Sequence, residues 1–287
     1  MRRPIVRLSS LQLTNIKNVK KGTIYMPNTV NKILSADKAE ILGIYGQNGS
    51  GKTAIVDALY FLQKVMIGVD LDQSLEDYMD MDSDTAEIFA DFNIFMDDIV
   101  FEIGYRLSLS REEKEVVISR ETLSAAKNEN GIRTNKTVFM DYQRDQANAI
   151  FKPQKRLDEI LEENKEIKTD LIVARKMAEK SNCSYIFGES SREIFCREYK
   201  NGFQQFSVII SSLFEFALKD LFVIRNTHSG VISANFVLPM AFRIENDSIG
   251  AKGDFAVSLT EPILVDEERK NLLETIVEQI NIVLYTI

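Results

Sequence analysis

One short stretch of the sequence, GQNGSGKT at residues 46–53, has the residue types and spacing of a phosphate-binding loop, GxxxxGK[ST]. Glycines let successive main-chain amides turn inward around a phosphate, and the start of a helix adds the positive end of its dipole. Lys52 can reach the β- and γ-phosphates, and the Thr53 hydroxyl can ligate Mg²⁺. The residues expected to hold the nucleotide are Gly46, Gln47, Asn48, Gly49, Ser50, Gly51, Lys52 and Thr53.

The segments on either side of this loop are those that such a loop requires. AEILGIY at 39–45 is an apolar run of strand length, and TAIVDALYFLQKVM behind the loop has apolar residues at helical spacing. A preceding strand and a following helix are the context that makes the motif credible. The sequence therefore predicts a nucleotide-binding strand, loop and helix, with the helix buried on most sides.

Hydrophobic periodicity predicts further elements along the chain. They are two short strands within residues 1–30 with a polar turn at 17–22, an antiparallel meander of three strands at 86–123, a loop at 125–137, a helical region at 153–218, strands in LFVIRN and VISANFVLPMAFRIE, and a closing amphipathic helix. We divide the chain into an N-terminal lobe at 1–125, a helical insertion at 126–220, and return strands with a terminal helix at 221–287.

Composition excludes several classes of protein. The chain has 287 residues, 45% of them hydrophobic, which suffices for a core without disulfides or metals. The formal net charge of −8 argues against a chain built mainly to bind polyanions. Its two cysteines, Cys183 and Cys196, support neither a disulfide framework nor a zinc site. No apolar run reaches the roughly 18 residues of a membrane span, and the start lacks a secretion signal, so we expect a cytoplasmic protein.

The acidic stretch at 70–84 contains the one arrangement that imitates a calcium loop. Asp80, Asp82 and Asp84 have the alternating spacing of such a loop, but its sixth position is Thr85, where glycine is needed for the turn. A solvated acidic linker is the favoured interpretation.

The loop and its surroundings resemble the ABC-type ATPase heads of SMC, RecF and RecN proteins. The likeness lies in GQNGSGKTAIVDAL, with Asn48 inside the loop, and in the opening LSSLQLTNIKNVKKGTI, which is similar to the first strand pair of those heads. The turn Asn15-Ile16-Lys17 corresponds to one that lies near the nucleotide in that family. The short insertion and the LFVIRN to LPMAF segment look most like compact bacterial AAA-labelled ATPases related to OLD-family and abortive-infection proteins. The resemblance implies an α/β P-loop NTPase of the ABC/SMC-head type, with ATP and Mg²⁺ as cofactors.

The chain departs from that family where catalysis would be completed. No LSGGQ-like helix is found, and 248–253 is only the nearest stretch. ILVDEE at 263–268 fits either a Walker B strand or, better, a helix that begins at Asp266 as its N-cap. The family also uses a histidine after the Walker B strand to contact the γ-phosphate. His228 comes before that segment, so its favoured interpretation is a residue of a hairpin turn. The candidates for the coupling glutamine of the family are Gln143, Gln146 and Gln154.

Several functions remain open at this level. The resemblance implies an ATPase module that acts in DNA maintenance or phage defence through nucleotide-dependent dimerisation, as a homodimer or with a second ATPase half or effector. The alternative is a non-hydrolysing, nucleotide-gated interaction module, whose missing half lies beyond Ile287 or on another chain. A GTPase is disfavoured because NKTV at 135–138 lacks the guanine-reading Asp, and a small-molecule kinase is less favoured. DNA contact has weak support, from the basic residues Arg2, Arg3, Arg7, Lys152, Lys155 and Arg156.

Overall fold

A computed structural model gives the architecture of the chain. It describes residues 3–71, 73–112, 115–144, 165–197, 204–226, 231–236 and 253–258. These residues form two antiparallel sheets and a set of helices, and the larger sheet carries most of the core.

The larger sheet has seven antiparallel strands. Their order is β2-β1-β3-β4-β5-β6, and β7 also pairs with β5. The strands are β1 (Ile5–Ile16), β2 (Val19–Tyr25), β3 (Thr85–Met96), β4 (Ile99–Glu112), β5 (Glu115–Glu129), β6 (Ile132–Arg133) and β7 (Thr137–Gln143). Consecutive strands β3, β4 and β5 are neighbours, so short turns suffice to connect them.

Alternation of apolar and polar residues decides which face of this sheet is buried. In β3 every second residue from Ala86 to Ile94 is buried, and the intervening residues are more exposed. Successive side chains of a strand point to opposite faces, so one face packs on the core and the other carries polar groups. On the second face, Arg106 pairs with Glu87 at 2.5 Å.

Helix α2 (Lys52–Met66), which follows the phosphate-binding loop, packs against the same core. Its Phe61 is fully buried and stacks on Tyr78 with ring centroids 4.7 Å apart. Tyr78 ends a 3₁₀ turn (Gln73–Tyr78), and the next residue, Met79, forms a bridge to Ile16 of β1. The sheet, the helix and this turn therefore share apolar contacts. A short helix, α1 (Pro27–Val30), follows β2.

A helical group and a second sheet follow the larger sheet. The helices are α3 (Lys165–Ser181), α4 (Glu189–Arg197) and α5 (Gln204–Glu215), and α5 ends in a π-helical turn (Phe216–Asp220). The second sheet has the order β10-β9-β8, with β8 at Val223–Asn226, β9 at Val231–Phe236 and β10 at Gly253–Ser258. Within the described ranges, no helix combines the length and apolar character needed to cross a bilayer.

Several elements predicted from the sequence are confirmed. The two opening strands, the helix behind the loop and the three-stranded meander are all present. The turn between the opening strands occupies only 17–18 rather than 17–22. The region predicted to be helical at 153–218 is helical where it is described, except for a break at 182–188. The predicted terminal helix lies outside the described residues.

The strand predicted at 39–45 is not formed. These residues adopt neither strand nor helix, and the side chains of Ile41 and Tyr45 are 93% and 95% exposed. A strand pairs its main-chain N–H and C=O groups with a neighbour, and none of the described strands pairs with this stretch. The apolar pattern identified a segment suited to a sheet but carried no information on a partner.

The loop predicted at 125–137 is also wrong in part. β5 continues to Glu129, and β7 pairs with it, with Thr137 opposite Ala125. Pairing along a long neighbour and burial of β7 residues such as Met140 outweigh the polar composition that suggested a loop. Strand β10 was not predicted.

The acidic stretch at 70–84 is less solvated than the linker interpretation predicted. Leu71, Leu75 and Met79 are buried and anchor the 3₁₀ turn on the core. The Asp80 carboxylate accepts hydrogen bonds from Lys20 at 2.5 Å and from the main-chain amide of Asp82 at 3.0 Å. The hydrogen bond from Lys20 lowers the pKa of Asp80. In the described part of the chain, no group of three or more His, Cys, Asp or Glu residues could hold a metal ion.

Candidate functional site

The phosphate-binding loop bends through two glycines that have left-handed backbone conformations. Gly49 has φ 82°, and Gly51, the N-cap of α2, has φ 88°. A Cβ on Gly51 would also lie 2.5 Å from Cγ2 of Val19, so both its conformation and its surroundings require glycine. Helix α2 therefore begins directly at Lys52, with its first main-chain amides free of a side-chain cap.

Lys52 folds back onto its own loop. Its ammonium group donates to the carbonyl oxygens of Gly46 and Gln47, both at 2.7 Å, and lies 3.4 Å from Oγ of Ser50. These contacts hold a positive charge at the start of α2, where the helix dipole also favours an anion. An incoming phosphate can take over the ammonium group from the two carbonyls.

Thr53 occupies the first turn of α2 and is exposed. Its hydroxyl is the group of this loop that suits Mg²⁺, because hard cations prefer oxygen ligands. The loop thus has the groups that suit a nucleotide tail with its cation: uncapped amides at the start of α2 and an ammonium group for phosphate oxygens, and a hydroxyl for the metal. Gln47, Asn48 and Ser50, also expected to contact nucleotide, lie in the same exposed bend.

The turn between β1 and β2 lies against the loop. Asn18 donates from its side-chain amide to the carbonyl of Gly49, and Val19 packs on Gly51. The neighbouring Lys17 has φ 50° and forms an ion pair with Asp57 of α2. The turn singled out by the family resemblance is therefore next to the phosphate-binding loop.

Three residues of this site were not identified by sequence reasoning. Asn18 and Val19 follow the turn that the resemblance included, and Asp57 lies one helical turn beyond Thr53. Asp57 offered one detectable signal, since a charged residue stands in the apolar sequence IVDAL of a helix predicted to be buried. Its carboxylate is only 7% exposed and is paired with Lys17.

The candidate catalytic segments fall outside the described residues. These are His228, the glutamines Gln146 and Gln154, the 248–252 part of the nearest signature stretch, and ILVDEE at 263–268. Gln143 is described as the last residue of β7, where its carbonyl accepts a hydrogen bond from Arg175 at 2.6 Å. It makes no described contact with the phosphate-binding loop.

The N-terminal basic residues are partly used within the fold. Arg3 pairs with Glu215 at 3.1 Å and with Asp220 at 2.9 Å, while Arg7 donates to the carbonyl of Ala36 at 2.8 Å. Arg2 and the basic residues Lys152, Lys155 and Arg156 lie outside the described part. Arg3 and Arg7 are therefore engaged in contacts within the fold.

Comparison with known families agrees with the loop. Residues 41–168 match the family model described as "AAA domain, putative AbiEii toxin, Type IV TA system". The match includes the whole phosphate-binding loop and α2, and it supports a P-loop ATPase domain of the AAA, abortive-infection type with an α/β fold. No curated protein matches the chain.

Proposed function

We propose that this chain is an ATP-binding and ATP-hydrolysing module of the SMC, RecF and OLD kind. The single observation that carries the proposal is the loop at 46–53, which bends through Gly49 and Gly51 and presents Lys52 at the start of α2. The match to an AAA domain over residues 41–168 supports the nucleotide-binding, ATPase-like part of this proposal.

The residues of the loop divide the binding of the nucleotide among them. Lys52 exchanges the carbonyls of Gly46 and Gln47 for phosphate oxygens, and the amides at the start of α2 face the same charge. Thr53 would ligate Mg²⁺, which neutralises charge on the phosphates during hydrolysis. Asn18 holds the carbonyl of Gly49 and so restrains the loop from the side of β2.

We further propose that nucleotide binding joins two copies of this module, or this chain to a second ATPase half or effector. The resemblance to ABC-type heads supports this, because such heads complete each site with a segment of the facing subunit. A role in phage defence agrees with the abortive-infection description of the matching family, and a role in DNA maintenance follows from the wider resemblance.

Substitution of Lys52 tests the nucleotide site. Lys52→Ala removes a charged hydrogen-bond donor, so affinity for Mg²⁺·ATP is expected to fall roughly 10- to 100-fold. Isothermal titration measures the affinity, and phosphate release measures hydrolysis in the same preparations. Lys64→Ala is the matched control, because Lys64 lies in the last turn of the same helix and its removal should leave both quantities unchanged.

Three outcomes separate the proposals. Equal ATP affinity in the wild type and Lys52→Ala would remove the phosphate-binding loop as the site. If Lys52→Ala loses affinity for ATP but the wild type releases no more phosphate than this variant does, the result would favour a non-hydrolysing, nucleotide-gated module. Tighter binding of guanosine than of adenosine triphosphate would contradict the assignment of ATP.

A further inference from the structure

A cavity lies at the other end of β2 from the phosphate-binding loop. It has a volume of about 930 Å³ and lies between the polar face of the larger sheet and residues 26–40, which we call the flap. The amide of Met26 donates to the carbonyl of Ser9 at 2.9 Å, and Arg7 donates to that of Ala36 at 2.8 Å. These two contacts fasten the flap to β1 near both of its ends.

The cavity is distinct from the nucleotide site already described. It is lined by Tyr25 at the end of β2, whereas Val19 at the start of that strand packs on the phosphate-binding loop. Six steps along a strand cover roughly 20 Å. A single nucleotide held by Lys52 would therefore not be expected to fill both places.

A buried hydroxyl without a partner lines this cavity. Ser9 is 7% exposed, and its Oγ is buried and makes no hydrogen bond within the described residues. The register of β1 against β3 shifts between Leu8 and Ser10, which makes Ser9 the extra residue of a bulge. Buried polar groups are almost always satisfied, so this unpaired hydroxyl and the bulge distinguish the cavity wall from the rest of the strand.

Cationic groups on the cavity wall retain unused donors. Arg133 uses Nε and one terminal nitrogen on Glu102, at 2.6 and 2.7 Å, which leaves its other terminal nitrogen available. Lys136 uses its ammonium group on Asp91 at 2.6 Å and retains further N–H donors. Lys32 on the flap has no ion-pair partner among the residues that are described.

The balance of charge on this wall favours an anion. Lys32, Arg133 and Lys136 are three cations, and Asp91 and Glu102 are two carboxylates, so the lining has one positive charge in excess (3 − 2). Because the two carboxylates are already paired, the excess charge and the spare N–H donors remain for a ligand with a compact negative group.

One side of the cavity is apolar and offers a surface to a ring. The Tyr25 side chain is 55% exposed on the rim, and Ile33 and Leu34 of the flap continue the apolar side. Aromatic rings stack favourably on flat ligands. A group that combines a negative charge with a flat ring would match the two halves of the lining.

We propose that this cavity binds a small organic phosphate with a flat ring, of the size of a nucleoside monophosphate, independently of the phosphate-binding loop. Lys32 and the spare donors of Arg133 and Lys136 hold the phosphate, and Tyr25 packs on the ring. A monophosphate is a selective probe, because the loop at 46–53 depends on phosphates that it lacks.

Titration of the full chain with a fluorescent derivative of adenosine monophosphate tests the proposal. The wild type and Lys52→Ala are expected to bind it with the same affinity, whereas Lys32→Ala should bind roughly tenfold more weakly. Lys38→Ala is the matched control, since Lys38 lies on the same flap but not in the cavity. Thr29→Phe places a ring in the cavity and should block binding without removing a charge.

Separate titrations with adenosine monophosphate and with inorganic phosphate distinguish recognition of the ring from recognition of the phosphate. Tyr25→Ala should weaken binding of adenosine monophosphate but not that of inorganic phosphate. The proposal is overturned if the wild type shows no saturable binding, if inorganic phosphate binds as tightly as the monophosphate, or if Lys52→Ala abolishes binding while Lys32→Ala does not. Thermal unfolding of each variant checks that it is folded. If ATP did not bind at the phosphate-binding loop, the results expected for this cavity would be the same.

Discussion

Glu121 is the most deeply buried carboxylate in the described part of the chain. It is 0% exposed and lies in β5, where it accepts hydrogen bonds from the hydroxyls of Tyr105 and Ser184, each at 2.6 Å, and from the amide of Tyr185 at 2.7 Å. These contacts fix the break between α3 and α4 against the sheet. Periodicity predicted helix through that break, because the carboxylate that stabilises it is more than sixty residues away in sequence.

Glu121 should make the stability of the fold depend on pH. Burial raises its pKa above the usual range of a glutamate, so the folded state binds the proton more tightly than the unfolded state. Between the usual and the raised pKa, stability is therefore expected to fall as pH rises. Urea unfolding at a series of pH values measures this slope, which should be smaller in Glu121→Gln.

The glutamine variant has a cost of its own. Its carbonyl oxygen can still accept from the amide of Tyr185, but an NH₂ group then replaces the oxygen that accepts from the hydroxyls of Tyr105 and Ser184, so Glu121→Gln should be less stable by about 1–3 kcal/mol at low pH. Glu129→Gln serves as control, since Glu129 lies on the same strand and is exposed, and its profile should parallel that of the wild type. A steep profile that persists in Glu121→Gln would assign the slope to another group.

At the scale of elements, the periodicity of apolar residues correctly predicted the strands and helices whose packing partners are close in sequence. The meander β3 to β5 was predicted because each strand alternates in polarity and pairs with the next one. β7 was missed because its burial depends on pairing with β5 across a polar segment. The same limit applies to contacts of α2: its helical period was evident, but its attachment to the π-helical turn was not.

Gln63 makes that attachment. Its side-chain amide is buried and donates to the carbonyls of Ala217 at 2.9 Å and Leu221 at 2.6 Å. Gln63→Met keeps the length of the side chain but removes both donors, so it should lower the free energy of unfolding by about 1–3 kcal/mol. Chemical denaturation measures this loss.

A control distinguishes the lost donors from a change of side chain as such. Gln12→Met on β1 removes a half-buried glutamine that makes no side-chain hydrogen bond within the described part, and it should change stability by less than about 0.5 kcal/mol. ATP affinity should survive Gln63→Met, because Gln63 lies eleven positions beyond Lys52 in the same helix, a distance of roughly 16 Å. Equal losses of stability in Gln63→Met and Gln12→Met would show that the two hydrogen bonds of Gln63 do not stabilise the fold.

At the scale of the whole molecule, the loop residues could be predicted individually, but the setting of the loop could not. The spacing of Gly46, Gly51 and Lys52 identified a phosphate-binding bend, because its geometry is local. The contact of the β1–β2 turn with this bend, through Asn18 and Gly49, depends on how the sheet packs against α2, and the spacing of the loop residues does not encode that packing. The apolar stretch at 39–45 shows the converse, since its pattern suits a strand while its main chain is unpaired.

This arrangement predicts where nucleotide should change the dynamics of the chain. Among the described residues, no main-chain amide between 39 and 49 donates a hydrogen bond, so hydrogen exchange there should be close to unprotected without nucleotide. Mg²⁺·ATP brings phosphate oxygens to the amides of the bend and should slow their exchange by about tenfold or more. Peptides from paired β3 and β4 are the internal reference, because their amides are protected in either state.

Lys52→Ala should abolish the slowing of hydrogen exchange by Mg²⁺·ATP. Strong protection of residues 39–49 before any nucleotide is added would mean that this stretch already has a hydrogen-bonding partner.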